Sequence, residues 1–420
     1  MIGSLISLHP IIFFAFAGGG GSSSGGGGGG GGSYSNSSSY GGSSGETSNS
    51  PLTSWISLVF VAVIATIFLF VLRKRKKTIS NKRAAREAEL ELAASKDPLW
   101  NGGEIEKRAS GIFIQYQKDW SSFNLDSMKS YMTPGYYQHN LLMMGALKVA
   151  SRQNDVRDIQ ITSVSIASVG DEVDSTQDSF TAQLIVNATD VLIDTKDSSE
   201  LFSQNVVVTE YYKFKRDGQH WLFDGIDQET ADAAMRNIPL ELFAKEHNYF
   251  YSLDWGHLLL PRRGQLFNSG SFGVSDINNH VIGLYNECII QLYTYAANPN
   301  SSHVNYLIAQ TSLPKSYGNI VVRRKGPMQG NIKGLQHIKM EWSDFNSAYD
   351  VYASDEERAT SFELLNPKFM EQLQALPFVI NIEVVDTIVY LYSPEENLAT
   401  SEQYLTMLTI LKVAFKEMRM

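Results

Sequence analysis

The sequence predicts an α+β chain behind a single membrane-spanning helix. Three observations predict it. Trp55–Leu72 is an uncharged apolar stretch, and two later segments each combine 3.6-residue helical spacing with the period-2 alternation of strands, with turn residues between the strands. The 420 residues suffice for two or more domains at ~100–200 residues each, and 43% apolar content suits sizeable cores.

Met1–Ala17 is apolar and ends in Ala15-Phe16-Ala17, a small-x-small pattern resembling a signal-peptidase site. It reads as a signal peptide (1–17) or, uncleaved, as a first anchor. The Gly/Ser-rich segment 18–54 has almost nothing to bury and should be a disordered tether. Residues 55–72 rise at ~1.5 Å each, enough nearly to cross a ~30 Å hydrocarbon layer. Arg73-Lys74-Arg75-Lys76-Lys77 follow at once, so the positive-inside rule places that end on the cytoplasmic side. Both readings of 1–17 put all that follows Leu72 in the cytoplasm, held at the cell membrane by one span. Segment 73–96 is rich in helix formers. Its cations, with Lys82 and Arg83, suit anionic lipid heads at about 1 kcal/mol per charge near the surface; a solvated spacer reads equally well.

Residues 97–236 open with a helix whose Ile105, Ala109, Ile112, Tyr116, Trp120 and Phe123 share one face. Asn124 caps a short helix over Leu125–Met132. Thr133 as N-cap and Pro134 at the first position start a third, running to about Arg152. The period then changes to 2 through three strand segments. Asp217-Gly218 reads as a type I′ hairpin turn, which would set Phe214 opposite Trp221 and Tyr212 opposite Phe223.

The pattern of Ile105, Phe113, Gln115, Trp120, Tyr131, Thr133 and Pro134, followed by Glu210, Phe214, Trp221 and Ile226, resembles the Tim44-like domain. That resemblance covers about a third of the chain. It implies a cystatin- or NTF2-like cone of helices packed in a curved sheet, and a bacterial, membrane-tethered relative of an import-motor scaffold that binds anionic lipid. A pocket for peptide or lipid would be lined by Trp120, Tyr131, Phe214 and Trp221; a filled core is the competing reading. Related cones in the ketosteroid-isomerase group use a pocket Asp as base with a Tyr or acid as oxyanion donor. Asp119, Asp126, Asp190 and Asp194, with Tyr116, Tyr131, Tyr136, Tyr137 and His139, are the residues such chemistry would draw on. No spacing gathers them, and Asp119 should point away from the core.

In residues 240–420, short strands from Val281 to Ser354 are separated by breakers and read as an antiparallel meander. A helical stretch follows, with Ser354 and Glu357 as a capping box and Asn366-Pro367 as a restart. Residues 378–393 return to strand, and Tyr404, Leu405, Leu408, Leu411, Phe415 and Met418 mark an amphipathic terminal helix. Glu341, Phe345, Asn346, Tyr349, Val351, Asp355, Ala359, Leu364, Leu365, Pro367 and Phe369 are similar to a prokaryotic domain of unknown function, which implies no activity. Ser275, Asp276 and His280 lie close in sequence but without a nucleophile elbow, and read as loop residues. Arg323 to Pro327, the run RRKGP, has the charge to touch phosphate heads but reads rather as a solvated hairpin tip.

A net charge of −9 argues against nucleic-acid binding. One cysteine, Cys288, allows no internal disulfide, and the eight histidines show no zinc spacing. The expectation is therefore a cytoplasmic scaffold at the inner membrane rather than an enzyme, with no catalytic, metal or cofactor site. Its partners would be anionic lipids and a protein, in translocation or membrane-complex assembly. Two alternatives stand beside it: an enzyme with a ketosteroid-isomerase-like pocket in the cone, and envelope assembly through the Gly/Ser-rich tail.

Overall fold

The structure is a computed structural model. It describes residues 84–228, 236–253, 258, 277–286, 288–296, 305–313, 315–326, 331–354, 365–394 and 400–417. The expected signal peptide, tether, membrane span and basic cluster (Arg73 to Lys77, Lys82, Arg83) lie outside these residues, as do the acidic half of the expected capping box, Ser275 and Asp276. Among the described residues no helix is long and apolar enough to cross a membrane. Among the described residues, those from 84 to Ile105 and those from Glu106 onward belong to separate units. The former contain a largely exposed helix α1 (84–96) and a 3₁₀ turn, Pro98–Trp100, capped by the Asp97 carboxylate.

Helix α2 (Gly102–Ser121) buries Ala109, Ile112, Tyr116 and Trp120, as their spacing predicts. It stops where Phe123 turns left-handed at φ 54°, so Phe123 leaves the helical face. The short α3 (Leu125–Lys129) is capped by Asn124 and ends three residues before the expected Met132. Residues 131–133 pair instead with the next sheet: Phe223 N–H donates to Tyr131 O (2.8 Å) and Thr133 N–H to Phe223 O (2.9 Å). Helix α4 (Pro134–Val149) starts as expected, with Thr133 Oγ1 accepting from Tyr136 N–H.

Strands β1 (Arg152–Gly170), β2 (Ser179–Asp194), β3 (Glu200–Asp217) and β4 (His220–Gln228) form an antiparallel sheet in sequence order. Three register shifts in β1, one beside Asp158 at φ 53°, bend this edge strand and interrupt its free edge. The β3–β4 turn is Gly218-Gln219, with Asp217 opposite His220, rather than Asp217-Gly218. Gly218 takes φ 57° at the first central position, where a type II′ turn wants glycine. The expected partners are therefore corrected: Phe214 faces Phe223, Trp221 faces Arg216 and Tyr212 faces Ile226. The partner of Phe214 moves two positions along β4, which keeps the aromatics on one face because side chains alternate with period 2, and a bulge makes the partner of Tyr212 move three. A bulge at Asp224 turns its carboxylate to Thr133 Oγ1 (2.7 Å), tying β4 to the cap of α4.

After α5 (Ile238–Glu246) come β5 (Phe250–Ser252), β6 (Ile277–Tyr285), β7 (Cys288–Ala296), β8 (Asn305–Ser312), β9 (Asn319–Arg324) and β10 (Gln336–Ile338). Then follow α6 (Ser343–Ala348), β11 (Tyr349–Ala353), α7 (Pro367–Ala375), β12 (Asn381–Val385), β13 (Ile388–Pro394) and α8 (Ser401–Glu417). Every strand pair here is antiparallel, yet the nine-stranded sheet is not the expected meander. Its order is β10-β11-β9-β12-β13-β8-β7-β6-β5, with the β12–β13 hairpin inserted between β8 and β9. That hairpin divides the single strand segment expected at 378–393. The stretch expected as strand at 337–354 holds helix α6, whose Asn346 side chain bonds Met340 N–H and O and so closes the turn before it.

One sheet face carries α5, α7 and α8 over a continuous core that includes Phe243, Phe369, Leu373, Tyr404, Leu408 and Leu411. The opposite face carries buried Tyr293, Gln310, Glu383 and Tyr390. Helix α4 packs against β6 and β7. It comes so close that a Cβ on Gly145 would lie 2.6 Å from Ile289 Cδ1. His139 on α4 stacks on Phe250 at 4.6 Å. The two sheets thus meet through α4.

Candidate functional site

The interior of the first sheet is built by the inward faces of α2, α4 and β1–β4. Of the expected pocket residues, Trp120 is 1% exposed, Phe214 0%, and Tyr131 and Trp221 5% each. Phe214 stacks on Phe180 (4.6 Å), and Trp221 meets Phe180 edge-on at 5.0 Å. Trp120 lies against Tyr116 and donates from Nε1 to Asn154 Oδ1 at 3.1 Å. Tyr131 donates to Asp119 Oδ2 at 3.0 Å. These are three stations, joined through Phe223, which touches both Phe214 and Tyr116.

Asp119 corrects an expectation. It is 1% exposed, not turned outward. Its Oδ1 accepts from Gln115 Nε2 (2.9 Å) and Asn124 Nδ2 (3.3 Å); its Oδ2 accepts from Ser127 Oγ (2.6 Å) and the Tyr131 hydroxyl. The carboxylate so closes α2, α3 and the following turn upon one another, and four donors offset its desolvation. Burial, with the Asp119 charge beside it, drives the Tyr131 hydroxyl far above its ordinary range. Burial likewise raises Tyr116, Tyr136 and Tyr212. These phenols stay neutral: the Tyr116 hydroxyl donates a hydrogen bond to Asn140 Oδ1 at 2.8 Å, and the Tyr212 hydroxyl accepts one from Gln117 Nε2 at 3.2 Å.

The other candidate acids have separate partners. Asp190 accepts from Asn154 Nδ2 at 2.7 Å, Asp194 pairs with Arg152, and Asp126 is exposed on α3. Tyr136 lies in the core against Phe223, and Tyr137 is half-buried on α4. An unexpected buried ion pair, Arg216–Asp178 at 2.9 Å, closes the end of the sheet near Trp221. His139 is lowered by burial to about 4. His280, one of the three residues of the Ser/Asp/His cluster and expected in a loop, is instead buried in strand β6, where burial lowers it to about 3. His280 bonds Gln291 at 3.0 Å. Arg323 and Arg324 are not a free hairpin tip: they lie over the rings of Tyr352 and Tyr349. No cluster of metal-ligating side chains occurs among the described residues.

A cleft between α4 and strands β7, β8 and β13 was not legible from sequence spacing. It is a shallow cleft open to solvent, with a cavity volume of about 20 Å³, and has Ala146, Val149 and Ala150 on one wall and Gln291, Gln310 and Thr311 along the floor. The only sequence trace is a glutamine interrupting each of two otherwise apolar inward rows, in Cys288–Ala296 and Asn305–Ser312.

A protein family described as "Protein of unknown function (DUF3137)" matches residues 306–397, which run from β8 through β13. All the residues that carry the second resemblance, Glu341 to Phe369, fall within that span. No curated protein matches the sequence. Among solved structures, the mycobacterial trehalose monomycolate transport factor A, TtfA, is similar at 13% identity over 43% of this chain and 93% of its own, with a TM-score of 0.34. The intermembrane space region of the chloroplast protein ARC6 is similar at 14% identity over 29% of this chain and 95% of its own, with a TM-score of 0.23. Both scores are too low to establish a shared fold.

Proposed function

We propose that this chain is a membrane-anchored scaffold that holds a protein or lipid partner at the cytoplasmic face of the cell membrane. Its first α+β body is read as a Tim44-like, NTF2-like cone and its second as a DUF3137-type module. The observation that carries the proposal is the uncharged stretch Trp55–Leu72 followed at once by Arg73–Lys77. The interior of the described part supports it: of the acids that a ketosteroid-isomerase-like site would use, Asp119, Asp190 and Asp194 brace helices and strands, and Asp126 is exposed on α3. Such a body suits holding rather than turnover. The basic run, with Lys82 and Arg83, would add contacts to anionic lipid heads.

The test is paired. A reporter fused after Met420 should be active only when cytoplasmic, and in vivo cross-linking followed by mass spectrometry should recover a defined partner. A reporter active on the exterior, or a membrane fraction free of partners, sinks the proposal.

A further inference from the structure

The cleft under α4 has a built floor. Gln291 on β7 and Gln310 on β8 are register partners, side by side on the same sheet face. They are 8% and 9% exposed. Each amide oxygen is already held: His280 Nε2 lies 3.0 Å from Gln291 Oε1, and the Tyr293 hydroxyl donates to Gln310 Oε1 at 2.8 Å. A bulge fixes His280. Asn279 stands at φ 56° beside the register shift between Asn278 and Val281, and its side chain is bonded to Asn237 N–H, the Tyr251 hydroxyl and Thr294. Such a bulge re-aims the side chain next to it. Both glutamines are therefore oriented from behind. Their Nε2 groups donate to nothing among the described residues, and both residues line the cleft.

The charge of the fitting ligand follows from the wall. Val149 and Ala150 are the last residue and C-cap of α4, so the negative pole of the helix dipole faces the same space. Two neutral donors beside a negative helix end disfavour a carboxylate. They favour a neutral group with a carbonyl oxygen for the amides and an N–H for the helix end. That group is an amide.

We propose that this cleft binds a neutral amide of a partner peptide, its carbonyl taken by Gln291 and Gln310 and its N–H directed to the end of α4. The inference deepens the holding function above and rests on it only for the partner being a peptide. The test uses the full chain in detergent micelles and ligand-observed saturation-transfer NMR. The probes are N-methylacetamide and, as the charged counterpart, acetate. Three results are expected. The amide should bind at least fivefold better than the acid. Gln310→Met should lower amide binding at least fivefold, since a neutral hydrogen bond of the usual strength is lost. Ala146→Phe, which fills the cleft from a half-exposed helix position, should abolish binding while leaving the urea midpoint unchanged.

Absence of transfer to the amide in the wild type, tighter binding of the acid, or undiminished binding by Ala146→Phe overturns the proposal. Recovery of a partner by cross-linking together with no amide binding would overturn this inference alone.

Discussion

At Asp119, a charge placed beside Trp120 on a helix turned out to be an internal brace. Replacing it by alanine strands the donors of Gln115, Asn124, Ser127 and Tyr131 in a closed space. Asp119→Ala should lower unfolding stability by about 3 kcal/mol, read from urea denaturation, because an unmet buried donor costs about 1–3 kcal/mol and some will find water. His139 offers a pH test. Its folded value is lowered from 6.5 to about 4 by burial. The unfolded chain therefore takes its proton first, and this contribution is complete above about pH 6.5 and lost as pH falls toward about 4. His280, lowered by the same cause, adds to the fall. His139→Phe can keep the stack on Phe250 and removes one titration. Its urea midpoint should drop less than the wild type's between pH 7 and pH 4.5; an equal drop would assign the acid sensitivity elsewhere.

Among the elements, caps and breakers were read where they stand. Asn124, Thr133 with Pro134, and Asn366 with Pro367 each begin a helix as their side-chain chemistry requires. Thr133 also binds the bulged Asp224 of β4, so its hydroxyl serves two elements. Thr133→Ala should cost about 1–2 kcal/mol and Thr133→Ser well under half of that, by urea denaturation. The hairpin at Gly218 failed by one residue because Asp-Gly and Gly-Gln are both acceptable turn pairs, and only the Asp224 bulge and the 131–133 pairing choose the register. Gly218→Ala should cost about 1 kcal/mol from its left-handed backbone alone, since nothing crowds the position.

For the whole molecule, the DUF3137 match ends inside a folded body. Residues 306–397 supply β8 through β13, but β8 pairs with β7, and α5 and α8 cover the sheet from outside the match. A 306–397 fragment should show a poorly dispersed amide spectrum and rapid proteolysis, whereas 237–417 should resist the same protease dose. The exposed ion pair Lys196–Asp386 also joins the two sheets, but a surface pair of this kind contributes little, about 0–1 kcal/mol, beside the packing of α4.

The sequence by itself determined the α+β class, the antiparallel strand segments of β1 to β4 and the starts of α3, α4 and α7. These depend on side-chain period and on local capping, which act over a few residues. Only the tertiary structure decided the insertion of β12–β13 between β8 and β9, the burial of Asp119, and the meeting of Gln291 and Gln310 beneath α4. Each depends on groups far apart in the chain whose hydrogen bonds and volumes must be satisfied together. A polar residue in an apolar row announces that it needs a partner, but not which strand or helix will bring one.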